Sequence, residues 1–208
     1  MVSTFNVLLS IFTVFLCSSG ILADLAPERT YSALDLHNQY RLAVDNPPAA
    51  DMLEMTWDDE LADKAQGWAD NCEFAYDPKH YTAKYDSVGQ NLYSSDELVD
   101  IFQNATATWA EEKDYYIYDY PCPAGQVIWA KSYKLGMAVS SRKCPFGQYL
   151  VVANYAKGGY LGEPPYTAGT PASQCPAGSQ PGASGMCEVT DEDQLRETIG
   201  LSTHEETD

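Results

Sequence analysis

The stretch PCPAGQVIWAKSYKLG, residues 121–136, divides this sequence into two halves of different pattern. Before it, apolar residues recur at helical spacing; after it, they alternate or run together as strands do. Leu135, Met137 and Val139 fall on one strand face, and QYLVVANY at 148–155 is a dense apolar run suited to a central strand. Residues 142–147, RKCPFG, supply the turn between them.

Upstream, residues 28–44 form the first expected helix, with Ala33, Leu36, Tyr40, Ala43 and Val44 on one stripe and the string H-N-x-x-R at His37, Asn38 and Arg41. Pro47 and Pro48 end it. Thr56 and Asp59 predict a cap for a second helix, whose face runs through Trp57, Leu61, Ala65, Trp68 and Cys72. After a loop rich in Tyr and Asp, residues 88–93 read as a short strand or turn. Ser94 with Glu97 then opens a third helix through Leu98, Ile101, Phe102, Ala105 and Trp109. At about 100° per residue, Glu112 projects near the Trp109 direction, whereas Asn104 and Glu111 point away. Glu112 is therefore the acid expected to face inward.

The 208 residues suffice for one domain with extensions. Residues 1–23 carry an apolar run and no charge, the pattern of a secretory signal peptide cut near Ala23 or Gly20. A signal anchor is the alternative, although the run is short for a membrane span. No later segment is apolar enough to cross a membrane. Acidic side chains outnumber basic ones 30 to 12, a charge that repels nucleic acid and anionic lipid headgroups. From Gly158 the composition shifts to Gly, Pro, Ser and Thr, as in a linker, and residues 188–208 carry eight acids against Arg196, as in a solvated tail.

Five strings, in order, resemble the CAP superfamily, which includes cysteine-rich secretory proteins, antigen 5, pathogenesis-related proteins and venom-allergen-like proteins. They are H-N-x-x-R at 37–41, M-x-W-D-x-E-L-A-x-x-A-x-x-W-A-x-x-C at 55–72, G-Q-N-L at 89–92, W-x-x-E at 109–112, and Q-V-I-W with S-x-x-L-G at 126–136. Residues 165–171, PYTAGTP, resemble the lead into the hinge of cysteine-rich secretory proteins. The resemblance implies an α+β fold, a three-layer α/β/α sandwich with a central antiparallel sheet. It divides the chain into the signal (1–23), a CAP domain (24–170), a short hinge-like Cys segment (171–187) and the acidic tail (188–208).

The same resemblance pairs Cys72 with Cys144 and Cys175 with Cys187. Two further family bridges map onto Met137 with Ala153 and Val88 with Ala156, where both partners are replaced. Cys17 leaves with the signal, so Cys122 is left over: a buried or capped thiol, an intermolecular bridge or reactive group, or a member of another pairing scheme.

In much of the family two histidines and two glutamates meet in a cavity and can hold zinc. The matching positions here are Tyr76, Gln90, Glu112 and Pro123, so one of four survives. A phenol, an amide and a proline do not replace the lost ligands, and no metal, cofactor or catalytic residue is expected. His80, four residues after Tyr76, is either a solvated loop residue or a shifted cavity group; His37 suits structural hydrogen bonding, and His204 sits in the tail. Glu112 suits a hydrogen-bonded polar role in the cleft. The run Tyr115, Tyr116, Tyr118, Tyr120 serves either packing or the wall of a ligand site. Asn104 begins a glycosylation sequon. The resemblance thus implies a secreted, non-enzymatic protein acting by binding a small lipid (sterol or fatty acid) or an extracellular protein partner. The alternatives are a venom-allergen-like immune modulator without lipid cargo, and a residual hydrolase or zinc protein.

Overall fold

The structure, a computed structural model, describes residues 26–115, 125–160 and 162–203. In order they form α1 (Ala26–Leu42), β1 (Thr56–Trp57), α2 (Asp59–Asn71), β2 (Gly89–Ser95), α3 (Ile101–Ala110), β3 (Lys134–Val139), β4 (Tyr149–Ala156), β5 (Ser179–Pro181), β6 (Cys187–Val189) and α4 (Glu192–Ile199). Four strands make one sheet in the order β1-β3-β4-β2; β4 is antiparallel to both neighbours, and only the two-residue β1 pairs parallel, with β3.

Strand alternation builds three layers. Leu135, Met137, Val151, Ala153 and Tyr155 face α1 and α3, packing with Ala33, Ile101, Phe102, Ala105 and Trp109. Ala138, Leu150 and Val152 face α2, packing with Ala65 and Ala69. Gly136 lets β3 approach α2 closely, because a Cβ there would strike the backbone of Leu61 and Ala62. Disulfides join Cys72 to Cys144 and Cys175 to Cys187.

The H-N-x-x-R string fastens α1 to three segments. His37 bonds the Ala33 carbonyl (2.8 Å) and the Tyr155 hydroxyl of β4 (3.0 Å). Asn38 exchanges two hydrogen bonds with the Met55 backbone. Arg41, 1% exposed, donates to the carbonyls of Leu53, Val127, Trp129, Ala130 and Ser132. Four of those five acceptors lie in the stretch that divides the sequence, so a guanidinium fork fixes a non-repetitive backbone that has no ladder to satisfy it.

Local expectations shift in four places. Helix α2 is capped by Asp58, whose carboxylate accepts the Leu61 N–H at 3.0 Å, and Thr56 is instead used in β1. Ser94 and Ser95 do not open a helix; they pair with Leu150 and Tyr149 in β2, and α3 starts at Ile101, so sheet pairing overrides the capping pattern. Helix α3 ends at Ala110, and Glu112 lies in the 3₁₀ turn Glu111–Tyr115.

The fourth difference is the C-terminal segment. Tyr166 and Ala172 of the expected linker are buried, and residues 188–203 are not a solvated tail as far as they are described. Helix α4, capped by Asp191, buries Leu195, Ile199 and the following Leu201 against Leu53, Tyr85, Val88, Tyr133 and Cys187. Three well-spaced apolar residues outweigh the surrounding acids, which point outward or pair: Glu192 accepts the Tyr133 hydroxyl (3.1 Å) and meets Lys134 (3.1 Å).

Candidate functional site

A cleft of about 720 Å³ opens where the loop after α2, the start of β2, the turn after α3 and the segment after β4 converge. Three of the four positions singled out by motif, Tyr76, Gln90 and Glu112, line it together, joined by His80, Asp86, Gln126 and Tyr160. Pro123, Cys122 and the tyrosines 116, 118 and 120 lie outside the described residues, as does the side chain of Tyr115.

Gln90 is committed to the fold. Its Oε1 accepts the Asp77 N–H (2.9 Å) and its Nε2 donates to Asn154 Oδ1 (2.9 Å), while Asn154 donates onward to the Leu61 carbonyl (3.1 Å). Asp77 also forms an ion pair with Lys64 at 2.6 Å. The loop bearing Tyr76 is thus pinned to sheet and helix, yet Tyr76 itself is 65% exposed at the rim. On the other side Gln126 Oε1 accepts the Gly159 N–H (3.2 Å), and the Tyr160 hydroxyl donates to Ser87 Oγ (3.0 Å).

Glu112 is exposed as a residue, but a Cβ on Gly125 would collide with its Oε2, so the glycine makes the recess in which the carboxylate sits. Loss of water around that end raises its pKa from the ordinary value. The hydrogen-bonded role expected for it is not found: among the described residues Glu112 has neither a hydrogen-bond nor an ion-pair partner. His80 takes part in the lining while remaining exposed, so it is a cleft residue as well as a solvated one.

This lining does not fit a zinc ion. Both ends of the Gln90 amide are used, Tyr76 presents a phenol, and among the described residues no three of His, Cys, Asp and Glu come together to hold a metal. Among the described residues no lining hydroxyl is hydrogen-bonded to His80 or Glu112, and Ser87 Oγ accepts the hydrogen bond of the Tyr160 hydroxyl. His37 is buried elsewhere, beside Trp109 and Tyr155. Asn104 is exposed on α3.

The motifs signalled Tyr76, Gln90 and Glu112. They missed Tyr160 and Asp86; the paired Gly158-Gly159, where Gly158 N–H bonds the Ser87 carbonyl (3.3 Å) and Gly159 would otherwise overlap Trp129, was the available sign of close packing after β4.

Residues 34–155 match the family described as CAP, the cysteine-rich secretory protein family. The chain belongs to this family. Among CAP relatives, mouse peptidase inhibitor 16 is 35% identical over 178 residues, covering 77% of this chain and 34% of the relative. The mouse peptidase inhibitor R3HDML is 37% identical over 180 residues, covering 74% and 69%. The chain therefore spans about a third of the first relative and just over two thirds of the second. Among solved structures, venom allergen-like protein 4 of Schistosoma mansoni superposes with a TM-score of 0.58 at 28% identity, covering 71% of this chain and 99% of that one. This CAP chain keeps the family's sandwich, and among its described residues no helix is long and apolar enough to cross a membrane.

Proposed function

We propose that this CAP protein is secreted and acts by binding an extracellular protein partner, without catalysing a reaction. The observation that carries the reading is the open cleft, pinned by Gln90 and rimmed by the exposed rings of Tyr76 and Tyr160, in which the polar groups of the described residues are not assembled for chemistry. Exposed aromatic rings around a preformed recess favour recognition.

Labelled protein from a eukaryotic secretory host should bind cell surfaces saturably, with competition by unlabelled protein and loss in Tyr76→Ala/Tyr160→Ala. Saturable binding that ignores the double substitution removes the cleft from the account; no saturable binding removes the reading. Small-lipid carriage is the second reading, favoured by the tyrosines at 115, 116, 118 and 120. Organic extraction followed by mass spectrometry decides it: empty protein that displaces no fluorescent fatty acid or sterol ends it.

A further inference from the structure

We infer that the cleft receives a cationic side chain, a lysine ammonium or arginine guanidinium from a basic segment of the protein partner, with Tyr76 as its aromatic wall and Glu112 as its counter-charge. The inference rests on the binding reading above and names the chemistry of the partner.

Among the described residues, the acidic and basic side chains lining the cleft have one sign. Asp86 and Glu112 contribute carboxylates, and among the described residues no lysine or arginine lines it. The stretch 116–124, YIYDYPCPA, contains Asp119 and no basic residue. Three of the basic groups nearby have partners of their own. Lys157 bonds the Ile199 carbonyl (2.8 Å), Lys64 pairs with Asp77, and Lys84 lies 3.5 and 3.6 Å from Asp58 and Glu60. A phosphate, a sulfated glycan or a fatty-acid headgroup would therefore meet two carboxylates, with no lysine or arginine among the described lining residues.

The two carboxylates differ. Asp86 is used, since its Oδ1 accepts the Ser202 N–H (3.0 Å). Glu112 has no partner among the described residues, and the absent side chain of Gly125 leaves its Oε2 room in the recess. Around the cleft, a cation already faces one rim ring: Lys157 Nζ lies 5.5 Å from the Tyr160 centroid. The same pairing recurs at Lys134 over Tyr133 (5.1 Å), Lys143 over Tyr149 (5.6 Å) and Arg196 over Tyr85 (5.1 Å). Tyr76 is the rim ring that no such cation covers among the described residues; it lines the same cleft as Glu112, and a cation held by ring and carboxylate together would be attracted by both. The chain's excess of 18 negative charges steers a basic segment toward it.

The test titrates the ¹⁵N-labelled full chain with Nα-acetyl-arginine methylamide and with its neutral isostere, Nα-acetyl-citrulline methylamide. Physiological salt confines electrostatics to short range, and a single charge avoids polycation adsorption. The arginine probe should bind saturably with shifts confined to the Tyr76 loop and residues 112 and 125–126, roughly tenfold tighter than the citrulline probe, the ratio expected of one charge-assisted contact. Glu112→Gln should remove most of that preference, whereas Glu111→Gln, an exposed acid outside the cleft, should keep it. Equal affinity for the two probes overturns the inference in favour of a neutral polar ligand such as a glycan. Equal losses in the two variants overturn it in favour of diffuse surface charge, and no saturable binding of either probe also overturns it. Cell-surface binding that persists in Glu112→Gln would end this inference while leaving the binding reading intact.

Discussion

His37 shows how one buried side chain sets a pH limit on the fold. Its Nδ1 donates to the Ala33 carbonyl, so in the neutral ring Nε2 accepts the Tyr155 hydroxyl proton, while Tyr155 in turn accepts from Asn91 Nδ2 (3.2 Å). Protonation of Nε2 would break this chain. Burial, chiefly, with the nearby positive Arg41 assisting and the Ala33 bond opposing, lowers the pKa of His37 from 6.5 to about 4. Below pH 6.5 the unfolded chain takes the proton first, so stability falls as pH drops toward about 4 and is restored as it rises. At about 1.4 kcal/mol per unit the upper bound is about 3 kcal/mol. Glu112, with its raised pKa, acts oppositely, and Asp58, held below its ordinary value because bonds from Leu61, Tyr85 and Lys84 outweigh burial, acts at more acid pH. Comparing wild type with His37→Gln cancels both. Urea unfolding across pH 4–7 should show a shallower pH dependence in the variant; identical slopes would remove His37 as the acid-sensitive group. Arg41 makes the companion point: burial lowers its pKa to about 9, which leaves it charged at neutral pH, and no shorter or single-headed cation reaches the same carbonyls.

Among the elements, α4 is the one whose contribution is easiest to underestimate. Leu195 is fully buried, Arg196 bonds the Lys84 carbonyl, and the Asp86 and Ser202 backbones are joined at 3.0 Å, so the helix braces the loop that forms one wall of the cleft. Leu195→Ala should cost about 2–5 kcal/mol, the usual range for a buried leucine that leaves a cavity. An unchanged urea midpoint would mean that the helix is only loosely attached. The elements built from dense or alternating apolar residues, β3 and β4, were legible in the sequence because strand period and burial agree there. Helix α4 was not, because acids dominate its composition while only Leu195, Ile199 and Leu201 decide its packing. Helix α3 was misplaced at its start for the converse reason: Ser94 and Glu97 make a sound local cap, but seven residues of pairing with β4 claim Ser94 for the sheet.

For the molecule as a whole, the scaffold is kept, and among the described residues the cleft brings together no set of three metal-ligating side chains. Separated strings that seem unrelated in sequence meet in space: H-N-x-x-R clamps 127–132, and G-Q-N-L reaches Asn154 through Gln90. Their order therefore carried the fold. The cleft was legible only at the positions those strings contain. Tyr160 and Asp86 arrive from loops without a periodic pattern, and their place depends on contacts with Ser87 and Ser202 that no local sequence states. Gln90 is the residue on which the two halves of the account meet, since its amide serves the sandwich where a carboxylate could serve a metal. The decisive measurement is therefore metal content by inductively coupled plasma mass spectrometry on extensively dialysed wild type and Gln90→Glu. The account predicts far less than one zinc per chain in both, with the variant less stable by about 1–3 kcal/mol through the lost Asn154 bond. One zinc per chain in the wild type that survives dialysis and disappears in Glu112→Ala would contradict it.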